Sequence, residues 1–420
     1  MSRLCLESLS FNYSVLILRL MVMQFDFPCE VIREGEAVLA VPKLSAFKRE
    51  PWEYAPCKAP VFYNPVMRLN RDIAVIAVQV FQEMIGRGIV IAEPLAGSGV
   101  RGIRFALEVD GVEHVYMNDI NPLAHKMADY NVEMNGLRGR VTVVNEDANL
   151  FLSRHSAPNK RFDFIDLDPF GSPVCFLDSA IRALKDGGLL ALTATDMAPL
   201  CGIHPRVALR KYGGLPLRTE YCHEIALRLL IGALAMTAAK YETGIKILFS
   251  HKTNHYVRAY AQIIRGAGNA DKSIRQMGYI LHCFSCFYRE TVQGIAPLLN
   301  GKCSECGSPM KVAGPLWLGR LSDAAFCERM ENKALLNRRL DARAKRIILL
   351  VKAEADAPAT YFVIDKISDK LGLTVPSRER VMKRLVQKGF RVWPTHFHPC
   401  GIKTDAPASV VVESVRQLAR

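Results

Sequence analysis

The 420-residue sequence offers no apolar run that approaches a bilayer span. The most apolar stretch near the start, Ser14–Met23, is short, interrupted by Arg19, and followed by no small-residue cleavage site. A signal peptide is therefore not expected. Met21 and Met23 are alternative starts, which leaves the first twenty-odd residues as an extension. Internal repeats and low-complexity tracts are also missing, which sets aside solenoid architectures. Eight of the twelve cysteines (Cys5, Cys29, Cys57, Cys175, Cys201, Cys222, Cys327 and Cys400) are dispersed without a pairing pattern. Scattered thiols in a long chain read as reduced cysteines in a cytoplasmic protein, not as a disulfide framework. Acidic residues are scarce only in the C-terminal part. Residues 1–250 carry 27 basic and 27 acidic side chains, whereas residues 251–420 carry 28 and 14. The whole excess of +14 thus lies in one region, and it points to a polyanion such as nucleic acid.

What is present is an alternation of strand and helix patterns. After the strand-like 34–43, a proline-rich loop at 46–65 and a helical 70–86, the rhythm changes. "GIVIAEPL" (88–95) is a β-rich run, followed by the glycine turn "AGSGVRG" and a helical segment. "HVYMNDI" (114–120), "RVTVVNEDA" (140–148), "RFDFIDLDPFG" (161–171) and "LLALTATD" (189–196) read as further strands, with helices at 121–136 and 176–188 between them. This pattern predicts an α/β fold: a Rossmann-like, doubly wound, mostly parallel sheet. Such sheets bind ligands at the C-terminal ends of their strands.

The polar residues worth singling out sit at those ends. Gly97 and Gly99 permit a tight turn and close backbone approach to a ligand. The turn is not a Walker loop, which would need Gly-Lys-Ser/Thr. Asp119, about twenty residues on, can accept both hydroxyls of a ribose. Asp147 can accept from an exocyclic amine, and the Ala148 amide can meet a ring nitrogen. A lone terminal aspartate is usually a helix cap. Three successive strand ends suited to adenosine, without a phosphate clamp, favour S-adenosylmethionine over NAD or ATP.

The fourth strand ends on "DLDPFG" (166–171). Methylation of an exocyclic amine requires that its lone pair be drawn out of conjugation and that a proton leave. Asp168 supplies a carboxylate acceptor. Pro169 has no N–H and stiffens the turn, leaving its carbonyl to point inward. Phe170 can stack on a base flipped out of its helix, and Gly171 allows close approach.

"DPFG" resembles the Asp/Asn-Pro-Pro-Tyr/Phe motif of nucleic-acid amino-methyltransferases, with Phe170 in place of the second proline. Together with "FYNPVMRLNRD" (62–72), "GSGVRGIRF" (97–105), "MNDI" (117–120), "DLDPFGSP" (166–173), "TATDMAPLCG" (193–202) and "THFHPCGIKTDAP" (395–407), it resembles the tRNA guanine-N2-dimethyltransferase family, which modifies guanosine 26 of tRNA. The likeness runs from about Gly35 to Pro407. It implies a class I S-adenosylmethionine-dependent methyltransferase that transfers methyl groups to N2 of that guanosine, giving N2,N2-dimethylguanosine. It implies cofactor contacts from Arg71, Arg101, Asp119, Asp147 and Ala148, with Phe62 near the cofactor or the base. Arg71 and Arg101 would meet the methionine carboxylate or nearby backbone, and Asp168 would be the catalytic aspartate, with Pro169 and Phe170 beside it. Competing readings are an amino-methyltransferase of another RNA or of DNA, and a non-catalytic nucleic-acid binder whose sheet domain has lost activity.

Cys283 and Cys286, then Cys303 and Cys306, form two Cys-x2-Cys pairs sixteen residues apart. This spacing brings four thiolates around a structural zinc, with an iron–sulfur cluster as the alternative. Phe284, Phe287 and Tyr288 either pack around these knuckles or stack on RNA. The basic "NRRLDARAKR" (337–346) is a candidate for sequence-independent phosphate contacts, and 361–397 has the cadence of a helix-turn-helix or winged module. The expected organisation is an extension at 1–34, a methyltransferase domain at 35–264, and a basic RNA-binding domain at 265–420 with its zinc site at 283–306. tRNA is the expected partner, with no membrane and no protein partner.

Overall fold

A computed structural model describes residues 25–48, 50 and 55–419. Ser14–Met23, the alternative starts Met21 and Met23, and Cys5 lie outside the described residues, as does part of the proline-rich loop. The chain divides after Phe151 into two compact units. That division falls inside the methyltransferase domain read from the sequence.

The first unit opens with an antiparallel hairpin, β1 (Cys29–Glu34) and β2 (Ala37–Pro42). Helix α1 (Arg68–Ile85) buries thirteen of its eighteen residues and stops at Gly86, whose left-handed backbone returns its N–H to the Gln82 carbonyl. Strands β3 (Ile89–Glu93), β4 (Val112–Asn118) and β5 (Val141–Val144) pair in parallel in the order β5-β4-β3. Helices α2 (Val100–Glu108) and α3 (Pro122–Met134) make the crossovers, and α4 (Ala148–Arg154) starts just after β5.

A buried charge network fastens this frame. Both Glu34 oxygens accept from the Arg71 guanidinium at 2.6 Å. Arg104 donates to Glu34 at 3.0 Å and pairs with Asp72 at 2.7 Å, and Tyr63 adds its hydroxyl. Burial alone would raise the Glu34 carboxyl, but Arg71 and Arg104 outweigh it and hold it at about 2. The stability it contributes is therefore present above its ordinary carboxylate range and is lost as pH falls through about 2. Glu34→Ala would leave the buried Arg71 guanidinium without its carboxylate, while Arg104 keeps Asp72 and Glu108. It is expected to cost about 3–5 kcal/mol, measured as a shift in chemical denaturation at neutral pH. A loss within experimental error would mean that the network adds nothing.

The second unit holds β6 (Phe162–Leu167), β7 (Leu184–Ala194), β8 (Thr243–Thr253) and β9 (Tyr256–Arg265) in the order β6-β7-β9-β8. β6 and β7 are parallel, and β9 is antiparallel to both β7 and β8. The expected helix at 176–188 ends early: α5 covers Leu177–Ala183 and β7 begins at Leu184. The cause is local. Gly187 lies at φ +75°, and Lys185 turns back to Asp163 at 2.8 Å. The register between β6 and β7 shifts at the same place.

One helix does reach the length and apolarity of a membrane span, contrary to the sequence reading. α8 (Cys222–Ala239) follows the short helices α6 (Met197–Leu200) and α7 (Pro205–Tyr212). It is buried over most of its length, with Glu224 and Arg228 paired at 2.8 Å inside. A central core helix has the same composition as a span, which is why periodicity did not single it out.

After α9 (Ala267–Ile274), strands β10 (Met277–His282), β11 (Arg289–Gln293) and β12 (Lys311–Trp317) form an antiparallel sheet with β10 in the middle. Helices α10 (Ala324–Leu336) and α11 (Ala342–Ala353) pack as a pair. A short β13 (Phe362–Val363) then leads into α12 (Ile364–Leu371) and α13 (Arg378–Gln387). Two antiparallel strands follow, β14 (Val392–Pro394) and β15 (Gly401–Thr404), and then α14 (Ala408–Leu418). Two helices followed by a β pair are the order expected of a winged module. Its core holds Phe362, Ile367, Val381, Leu385, Ile402, Val411 and Val415.

Candidate active site and cysteine centre

In the first unit the glycine turn follows β3. Gly97 is left-handed, and a Cβ there would lie 2.9 Å from the Phe62 carbonyl, so Phe62 is held directly against the turn. The Gly97 N–H donates to Asp119 at 2.8 Å, and the other Asp119 oxygen accepts from Asn121 N–H at 2.9 Å. The carboxylate thus ties the first strand end to the second. Each of its oxygens keeps a lone pair for a further donor. Asp147 caps α4 through Oδ1, accepting from the Asn149 and Leu150 amides at 2.9 and 3.1 Å. The helix-cap function is therefore real, and it uses one oxygen of an exposed carboxylate. Ala148 beside it is buried.

The two arginines are set inward. Arg71 gives its fork to Glu34 and also donates to the Asn64 carbonyl at 3.2 Å. Arg101 is buried, donates to Asn70 at 2.9 Å, and lies 3.9 Å from Glu93. Glu34, the partner that orients Arg71, carried no signal in the sequence: it is one carboxylate in a charged hairpin.

In the second unit Asp168, Pro169, Phe170 and Gly171 follow β6 directly. Asp168 is half-buried, Pro169 is buried and Phe170 is 62% exposed. Gly171 at φ +81° is locked to the end of β7. Its N–H donates to Thr195 Oγ1 at 2.7 Å, and its carbonyl accepts from Thr195 N–H at 2.9 Å. The turn is therefore a fixed platform carrying a carboxylate and a presented aromatic ring. Asp166 points into the sheet, where its Oδ2 accepts from Arg258 Nη2 at 2.5 Å. The two aspartates of "DLDPFG" differ in setting: Asp166 is buried within β6, whereas Asp168 is half-buried just past its end. Thr195 and Arg258 went unremarked in the sequence. The available signal for Arg258 was an arginine inside an otherwise apolar, aromatic-rich strand.

Cys283, Cys286, Cys303 and Cys306 converge, with all four sulfurs within 4.8 Å of one another. Cys283 and Cys306 are 3.5 Å apart, as are Cys286 and Cys303. The two Cys-x2-Cys segments, Cys283–Cys286 and Cys303–Cys306, adopt the same kind of turn. Phe287 N–H bonds the Cys283 carbonyl, and Gly307 N–H bonds the Cys303 carbonyl. Phe287 and Gly307 are both left-handed, at φ +66° and +72°. Phe287 is buried in the winged-module core and Tyr288 packs against it, whereas Phe284 is exposed. Packing, not stacking, therefore accounts for two of the three aromatics. Within "NRRLDARAKR", Arg338, Arg339, Arg343 and Arg346 are exposed across the turn between α10 and α11.

The family model for N2,N2-dimethylguanosine tRNA methyltransferase matches residues 35–416. A tRNA (guanine(26)-N(2))-dimethyltransferase of Methanothermobacter thermautotrophicus is 43% identical over 390 residues, covering 91% of this chain and 97% of the relative. A tRNA (guanine(26)-N(2)/guanine(27)-N(2))-dimethyltransferase of Aquifex aeolicus is 36% identical, with 93% and 96% covered. The solved structure of Trm1 from Pyrococcus horikoshii with S-adenosyl-L-methionine superposes with a TM-score of 0.78 at 35% identity, covering 92% of this chain and 99% of that one.

Proposed function

The chain belongs to the N2,N2-dimethylguanosine tRNA methyltransferase family, and from that premise we propose that it transfers methyl groups from S-adenosylmethionine to N2 of guanosine 26 of tRNA, giving N2,N2-dimethylguanosine. The observation that carries this reading is the rigid Asp168-Pro169-Phe170-Gly171 turn at a strand's C-terminal end, in a chain that matches the family from residue 35 to 416. When bound, S-adenosylmethionine supplies an electrophilic methyl group on a sulfonium. Phe62, Arg71, Gly97, Arg101, Asp119, Asp147 and Ala148 would hold it. Asp119 would accept from the ribose, and Asp147, whose cap leaves Oδ2 available, from the adenine amine. Arg71 and Arg101 would steady the surrounding backbone through their buried contacts.

Asp168 would accept an N–H of the guanine amine, turning its lone pair toward the methyl group and taking up the proton that leaves. The Pro169 carbonyl would accept the second N–H, and Phe170 would stack on the flipped base. The half-buried carboxylate and the exposed ring suit these two tasks.

The four cysteines fit zinc by donor type and convergence, and we assign them a structural zinc. The methyltransferase domain would run from 35 to 264 and the RNA-binding domain from 265 to 420, with the excess positive charge neutralising tRNA phosphates. With tRNA as substrate, the cytoplasm is the proposed compartment.

The test is transfer of labelled methyl from S-adenosylmethionine to unmodified tRNA, with nucleoside analysis of the product. N2,N2-dimethylguanosine at position 26 is expected. Label on another nucleoside, or none on a guanine amine, would refute the assignment.

A further inference from the structure

Arg258 is fully buried on β9. The sheet register explains its placement. Asp166 on β6 is level with Ala191 on β7 and Tyr260 on β9. Two residues further along β7, Thr193 is level with Arg258, and Asp168 lies two residues beyond Asp166, immediately past the end of β6. Side chains two apart on a strand share a face. Asp166, Thr193, Arg258 and Tyr260 therefore line one face, and Asp168 follows just beyond its edge. The guanidinium is fixed at three points. Nη2 donates to Asp166 at 2.5 Å, Nη1 to Thr193 Oγ1 at 2.6 Å, and Nε to the Tyr260 hydroxyl at 2.9 Å. Its central carbon also stands 4.8 Å from the Tyr260 ring centre.

We propose that Arg258 is a positioning residue for methyl transfer, anchored to Asp166 and setting the charge and direction of the neighbouring Asp168 carboxylate. The inference rests on the assignment of Asp168 given above. A guanidinium that served Asp166 alone would need only a pair. This one spans three strands and closes on the strand end where the reacting carboxylate leaves the sheet. Burial opposes its charge, but Asp166, Tyr260 and Asp168 act together to hold its proton well above the ordinary guanidinium range. Burial keeps His251, opposite Arg258 on β8, unprotonated, and His396 and Arg258 reinforce this. Burial also raises the Tyr256 phenol above its usual range, so that it stays neutral and adds no negative charge. Arg258 is thus the fixed cation on this face of the strand end among the groups named.

The test separates a structural pair from a positioning function. Arg258→Met alone leaves Asp166 buried and uncompensated, so the informative variant is Asp166→Asn with Arg258→Met, which removes both charges. It is expected to retain cofactor binding. The acid limb of its pH–rate profile should move up by about one unit, and single-turnover methyl transfer should fall by roughly tenfold to a hundredfold. A folded double variant with the wild-type profile and rate would overturn the proposal. Should the double variant not fold, Arg258→Lys decides the matter. It keeps the charge and loses the fork, so the acid limb should stay in place while the rate falls about tenfold. An unchanged rate in that variant would overturn the proposal. Asp168→Ala is measured alongside. Inactivity there with a wild-type double variant defeats this inference alone, whereas full activity in Asp168→Ala defeats the underlying assignment and this inference with it.

Discussion

Asp168→Ala is expected to lower methyl transfer to tRNA by roughly 10²- to 10⁴-fold, the range for removing a positioned proton acceptor, while affinity for S-adenosylmethionine changes only a few fold. The split follows from the division of labour among residues. The groups proposed to hold the cofactor are Phe62, Arg71, Gly97, Arg101, Asp119, Asp147 and Ala148, and none of them depends on the Asp168 side chain for a hydrogen bond described above. The turn itself should survive, because it is held by the two hydrogen bonds between Gly171 and Thr195. Asp168→Asn retains an acceptor oxygen and loses the negative charge. It should therefore fall between the wild type and alanine, because it can orient the amine without taking its proton. Single-turnover transfer of labelled methyl, paired with calorimetric titration of the cofactor, reads both quantities. Wild-type turnover in the alanine variant would remove Asp168 from the chemistry.

How legible this was depended on the kind of signal. The strand ends were legible because each follows an apolar run and breaks it with glycine, aspartate or proline. The glycine turn, Asp119, Asp147 and the "DPFG" turn all stand where the alternation placed them, after β3, β4, β5 and β6. Their hydrogen-bond partners were not legible. Glu34 reaches Arg71 across 37 residues, and Asp166 reaches Arg258 across 92. Nothing local marks a carboxylate as the partner of a particular distant arginine; only the assembled sheet and the packed hairpin bring them together. The β8–β9 hairpin was missed for another reason. Its strands alternate imperfectly because both faces are largely buried, and its turn is made by Asn254 at φ +47° without an Asn-Gly pair. Local strain was invisible as well. A phenylalanine at position 287 reads as one more aromatic near the cysteines, whereas its backbone occupies a conformation that glycine fills in the second knuckle.

That strain makes the cysteine centre the place where a small chemical change should have the largest effect on stability. Replacing Cys303 and Cys306 by serine is expected to abolish binding of one zinc per chain and to lower the thermal midpoint of the C-terminal part. Three observations set the size of the effect. The knuckle core is small: Leu281, Cys283, Cys303 and Met310 are its buried members, so the thiolates themselves form half of it. Phe287 holds a left-handed backbone that costs an L-residue of this size about 1–3 kcal/mol, and the turn that imposes it begins at Cys283. Phe287 also belongs to the winged-module core with Phe362 and Ile402, so relaxation of the knuckle propagates into that core. Structural zinc contributes an apparent 10–16 kcal/mol of folding free energy in small zinc modules at neutral pH, comparable to the entire stability of an ordinary domain. The double variant should therefore expose β10, β11 and β12 to hydrogen exchange, while the strands of the first unit stay protected. Metal analysis of the wild-type chain is expected to give the complementary result, about one zinc per chain, released by a strong chelator together with the same loss of protection. Wild-type metal content and an unchanged exchange pattern in the serine variant would show that the four cysteines hold no zinc and that the knuckles stand by packing alone.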